Sequence, residues 1–64
     1  MKTTLMVGDI LYGFCGGYFG REAYGNKKIE GLGNGWVVAR CTTSDQIYFY
    51  EGPHVNLLQY TEEN

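Results

Sequence analysis

Lys27-Lys28-Ile29-Glu30-Gly31-Leu32-Gly33-Asn34-Gly35-Trp36-Val37-Val38-Ala39-Arg40-Cys41 is the stretch whose reading decides the fold. Asn34-Gly35 is a strong hairpin signal, because both residues tolerate the positive φ that a type I′ turn demands. It predicts a tight turn between strands over Lys27 to Leu32 and Trp36 to Cys41. Trp36-Val37-Val38 is the best β run in the chain. A two-residue turn here sets Trp36 across from Gly33 and Val38 across from Gly31. An aromatic ring laid over a strand glycine fills the gap left by the missing side chain, and needs no deep burial to do so.

Working outward, Thr42-Thr43-Ser44-Asp45 reads as a second turn, of side chains that bond back to their own backbone. Gln46 to Glu51 alternates Ile47 and Phe49 against Tyr48 and Tyr50, a strand pattern that Gly52-Pro53 ends. Val55 to Tyr60 reads as a short closing strand, although Asn56-Leu57-Leu58-Gln59 also suits a helical turn. On the N-terminal side, Val7 to Phe14 reads as the first strand. Residues 15–26, with four glycines among Tyr18, Phe19 and Tyr24, form a long connection of the kind that is usually functional or mobile. Five short strands in this order predict an all-β fold: a small, strongly bent, half-open barrel over residues 1–60. Residues 61–64 read as a solvated acidic tail.

The long loop after the first strand, Trp36-Val37-Val38-Ala39-Arg40 in the third and Gly52-Pro53-His54-Val55 before the last resemble the Src-homology-3-like barrel. The acidic stretch of the peptide-binding members is reduced to Glu22, and the proline-tyrosine pair is missing because His54 follows Pro53. Recognition of proline-rich peptides therefore does not carry over. A second resemblance is to short uncharacterised proteins of tailed bacteriophages, notably those infecting actinobacteria. It rests on Gly13-Phe14-Cys15-Gly16-Gly17, on Phe19-Gly20-Arg21 with Tyr24-Gly25, and on Ile29-Glu30 followed by Gly33 and Trp36-Val37-Val38. It implies a setting, the host cytoplasm, and no activity.

At 64 residues the chain is one domain, too small for a buried dinucleotide site or a nucleotide-binding α/β domain. Five Lys and Arg against seven Asp and Glu give a net charge of −2, contrary to the basic excess of most nucleic-acid modules. There is no polybasic patch and no stretch of transmembrane length, so no membrane partner is expected. Two cysteines are few for a small secreted domain. Cys15 and Cys41 read as buried free thiols in a reducing cytosol.

Catalytic constellations are weak. Cys15, Cys41 and His54, with Asp45 as a fourth ligand, lack zinc spacing. Cys15 with His54 has no carboxylate to orient the imidazole. Gly13–Gly17 and Gly31–Gly35 lack the lysine and hydroxyl ending of a phosphate loop. Nothing fixes the separation of Glu22 and Glu30. No metal, cofactor or enzymatic activity is expected.

What remains is the aromatic excess of six Tyr, three Phe and one Trp. Faces alternate along a strand, so the register decides which rings point inward. A two- or four-residue loop at Thr42–Asp45 sets Val38 opposite Phe49. An odd loop or one bulge sets Val37 opposite Phe49 instead. The reading adopted places Val37, Ala39, Ile47 and Phe49 inside, with Val7, Ile10 or Leu11, and Leu57. Trp36, Arg40, Tyr48 and Tyr50 then share an outer face with Tyr18, Phe19, Arg21 and Tyr24 of the long loop. Rings and arginines in one patch suit a protein interface. The alternative is that the loop folds over that face as a second small core.

The expected function is a non-enzymatic protein-interaction module, with a host protein or a second copy as partner. One rival is a nucleic-acid module in which aromatics stack on bases and Arg21, Lys27, Lys28 and Arg40 meet phosphates. The other is a self-assembling component that adds strands edge to edge.

Overall fold

The structure is a computed structural model, and it describes residues 3–13, 18–19 and 24–62. Four strands, β1 (Ile10–Leu11), β2 (Lys27–Gly33), β3 (Trp36–Cys41) and β4 (Ile47–Glu51), form one antiparallel sheet in sequence order. A helical turn α1 (Val55–Leu58) and a 3-10 turn (Gln59–Thr61) follow. Among the described residues the sheet is open: β1 pairs only with β2, and β4 only with β3.

The central hairpin lies where the sequence places it, with Gly33 opposite Trp36 and Gly31 opposite Val38. Its turn is not type I′, because Gly35 has φ of +84° while Asn34 stays at negative φ. Asn34 thus takes an ordinary conformation and leaves the positive φ to the residue without a Cβ. The Gly35 carbonyl accepts a 2.8 Å bond from the Gly52 amide, which ties the turn to the far end of β4.

Two expectations about the elements need correction. The first strand is two residues long, not Val7 to Phe14; Phe14 lies outside the described residues. Met6 to Asp9 forms a turn instead, closed by the Asp9 amide on the Met6 carbonyl at 3.1 Å and by Asp9 Oδ2 accepting from the Met6 amide at 2.9 Å. Gly8 at φ +98° is the third residue of that turn, and Val7 is exposed. Val55 to Tyr60 is helical, so among the described residues the sheet has no fifth strand. The segment meets β1 through one bond, from the Tyr12 amide to the Tyr60 carbonyl at 2.8 Å, where a strand would have made a ladder. β2 also carries a bulge between Ile29 and Gly31, which sets Glu30 out of register. Nothing in the alternation of residues 27–32 signals it.

The core lies on one face of the sheet. Leu11, Ile29, Val37 and Ala39 come from the strands, Leu5 and Phe19 from the flanking segments, and Leu57 from α1; all are buried. The accessible surface is 4124 Å². A compact monomer of this mass exposes about 4,100 Å², so the chain is as compact as a monomer of its size.

Candidate functional site: the outer sheet face

The four-residue turn after β3 decides what each face carries. The Cys41 amide donates to the Gln46 carbonyl at 2.8 Å, and the Asp45 amide to the Cys41 carbonyl at 3.1 Å, with Asp45 at φ +64°. This count puts Val38 opposite Phe49 and Val37 opposite Tyr50. The expectation that Ile47 and Phe49 are inside with Val37 and Ala39 is therefore overturned. Tyr48 and Tyr50 point inward, and Ile47 and Phe49 are 53% and 57% exposed.

The physical reason is that Tyr50 can be buried without leaving its hydroxyl unsatisfied. Its O–H donates to the Pro53 carbonyl at 2.8 Å and accepts from Asn56 Nδ2 at 3.0 Å. Its ring packs edge-on to Tyr18, with centroids 5.5 Å apart, and obliquely to Phe19 at 6.0 Å. Phe19 also meets Tyr48 at 6.4 Å. The alternative of a second small core over the outer face does not form either: Phe19 and Tyr50 join the one core beneath the sheet, and Tyr48 packs against it. Phe19 and Tyr50 are buried, Tyr48 is half-buried, and none of the three shares a face with Trp36 and Arg40.

Lys27 belongs to the same inner layer. It faces Cys41 across the sheet and is completely buried. Its ammonium donates to the Gly13 carbonyl at 3.1 Å and to the Gly25 carbonyl at 2.5 Å, and stands 5.7 Å from the ring centres of both Phe19 and Tyr48. A buried charge persists where carbonyl dipoles and ring faces replace its water. Lys27 therefore clamps the two ends of the long loop and is not available to phosphate.

The opposite face meets solvent. β3 contributes Trp36, Val38 and Arg40, and β4 contributes Ile47, Phe49 and Glu51. β2 adds Lys28, Gly31 and Gly33. Trp36 is 38% exposed, and its indole lies across Gly33 so closely that a Cβ there would sit 2.5 Å from Nε1. Gly33→Ala should thus push the indole into water. The expected result is a red-shifted, more readily quenched Trp36 emission and a loss of about 1 kcal/mol; unchanged emission would contradict the stacking.

One end of the apolar stripe is fenced by charge. Arg40 Nε donates to Glu30 Oε2 at 2.8 Å, and its Nη1 reaches the Asp45 carbonyl at 3.0 Å and Oδ1 at 3.4 Å. The hydrogen bond with Arg40 holds the Glu30 carboxyl below the usual carboxylate range, and the same bond pushes the guanidinium up. Such a surface pair fixes side-chain directions and adds little stability.

The residues expected to form one binding surface are therefore divided. Trp36 and Arg40 lie on the outer face; Tyr18, Phe19, Tyr48 and Tyr50 gather on the inner one. Tyr24 is exposed beside the start of β2, and Arg21 lies outside the described residues. Sequence reasoning missed Ile47 and Phe49, which supply the most exposed apolar side chains of the outer face. The available signal was the even length of the Thr42–Asp45 turn.

Chemistry on the described residues is limited. Among them no three His, Cys, Asp or Glu side chains gather as a metal site. His54 Nε2 lies 3.1 Å from the Trp36 carbonyl, and Cys15 is outside the described residues. Cys41 is free and buried, with its Sγ 3.4 Å from Thr43 Oγ1. Hydrogen bonds from Ser44 and then Thr43 lower its thiol from 9.0 to about 6. A depressed folded value stabilises the native state fully above the unfolded value, and the gain disappears as pH falls through the folded one. Resistance to urea should therefore increase from pH 6 to pH 9, and Cys41→Ala should lose that part of the slope. Parallel pH profiles for the two proteins would refute the thiolate.

No protein family, curated protein or solved structure matches this chain. The site defines its class by geometry alone: a small antiparallel sheet with a sealed aromatic core on one side and an open apolar stripe on the other. Among the described residues no helix is long and apolar enough to cross a membrane.

Proposed function

We propose that this chain is a non-enzymatic protein-interaction module that binds through the outer face of its sheet. The observation that carries the reading is the stripe of Trp36, Val38, Ile47 and Phe49 on solvent-facing positions of adjacent strands. Apolar side chains contiguous on one face, bordered by an oriented Arg40, have the composition of an interface centre and its polar rim. Tyr18 and Phe19 of the long loop, which the sequence reading placed in the interface, pack instead from below against Tyr48 and Tyr50. In the setting that the phage resemblance implies, the partner is a host protein or a second copy. The Src-homology-3-like barrel is the architecture proposed for the scaffold. Its support is the sequential strand order, the long connection between β1 and β2 and the segment that returns from α1 to β1.

Capture from host lysate by wild type, Trp36→Ala, Phe49→Ser and Tyr24→Ala tests the reading. A defined partner should be lost with the first two variants and kept with Tyr24→Ala, which lies off the face. Equal capture by all four would overturn it. Nucleic-acid binding has less support, because Lys27 is buried and Arg40 is engaged by Glu30 and Asp45. An oligonucleotide titration at low salt should show no change in Trp36 emission.

A further inference from the structure

The edge of β4 carries a second, independent feature. The Gly52 amide bonds the Gly35 carbonyl, and the Cys41 amide bonds the Gln46 carbonyl, both at 2.8 Å. These two pairs bracket an unbroken register in which hydrogen-bonded and non-bonded pairs alternate. Tyr48 and Tyr50 therefore turn their backbone groups toward β3. Ile47, Phe49 and Glu51 turn theirs away from it, and among the described residues nothing bonds them. Natural edges of this kind are blunted by lysine, proline, a bulge or shortness. The other edge, β1, is two residues long. β4 has five regular residues, Ile-Tyr-Phe-Tyr-Glu, with no lysine, no proline and no bulge.

We infer that β4 pairs with β4 of a second copy, antiparallel, about a two-fold axis at Phe49. The open groups recur at 47, 49 and 51, symmetric about 49, so one register serves all of them. Phe49 faces the partner's Phe49, and Ile47 faces the partner's Glu51 in both directions. Each facing pair exchanges both of its backbone bonds, and no open amide or carbonyl of β4 is left over. The two outer faces then join in one eight-stranded sheet, with the Phe49 rings adjacent at the seam and the Trp36–Val38 stripes on either side. A strand edge with these side chains is small beside the roughly 1,200 Å² of a stable interface, so the dimer is reversible. Because each copy is as compact as a monomer of its size, the monomer persists on dilution. The inference rests on the proposed interaction surface and names one partner for it.

Sedimentation from about 10 μM to 1 mM tests it, with wild type and a synthetic chain bearing an N-methyl group on the Phe49 amide. The methyl group removes one open donor and blocks the edge, but breaks no bond within the monomer. Wild type should pass from monomer to dimer, and the N-methylated chain should remain monomeric with an unchanged circular dichroism spectrum. Amide exchange at Ile47, Phe49 and Glu51 should slow in the concentrated wild type. A wild type monomeric at about 1 mM would overturn the inference, as would a dimer unaffected by the methyl group. If that monomer still captures a partner that Trp36→Ala loses, the dimer alone has failed and the interaction module stands.

Discussion

Lys27→Met is expected to cost this protein about 3 kcal/mol, most of the stability that a domain of this size holds. Methionine keeps the apolar stem within the core, so the loss isolates the ammonium. The Gly13 and Gly25 carbonyls would lose that donor in their half-buried places, and losing a hydrogen bond to a charged group costs about 1.5–3 kcal/mol. The contacts over Phe19 and Tyr48 would disappear as well. Those carbonyls lie at the two ends of the long loop, so its hold on the tyrosine layer should loosen. Urea unfolding followed by circular dichroism measures the effect, with exposed Lys28→Met as the control, expected to stay within about 0.5 kcal/mol. A Lys27→Met chain as stable as the control would show that the charge is dispensable.

Tyr50→Ala should be more damaging still, at about 4 kcal/mol, because it leaves a cavity beneath Phe19 and Tyr18. Tyr50→Phe separates the hydroxyl from the ring. It keeps the packing and strands the Pro53 carbonyl and the Asn56 amide, at about 1–2 kcal/mol. Phe49→Ala, one residue away on the exposed face, should cost under about 1 kcal/mol. The order of these three variants reads the β3–β4 register directly. If Phe49→Ala proved the costliest, the strand would be slipped by one residue and the outer face would be the tyrosine face.

That ranking runs against hydrophobicity, and so the sequence alone favoured the wrong face. Isoleucine and phenylalanine are better core residues than tyrosine when compared singly. Tyrosine wins here because Pro53 and Asn56 arrive three and six residues later to satisfy its hydroxyl. A ring with its polar tip bonded buries more area than the Ile47 side chain it displaces. Trp36 was placed correctly for a local reason: a two-residue turn leaves only Gly33 opposite it.

The stretch from Lys27 to Cys41 thus announced its own hairpin, its cross-strand pairs and the covering of Gly33, because turn chemistry and strand alternation act over a few neighbouring residues. Tertiary structure alone decided that Lys27 is a clamp, since its carbonyl partner at Gly13 is fourteen positions away. It also set which tyrosines are sealed, turned the closing segment helical and left β4 as an open edge. Each of these depends on whether a polar group meets a partner distant in the chain, and residue pattern carries no record of such meetings.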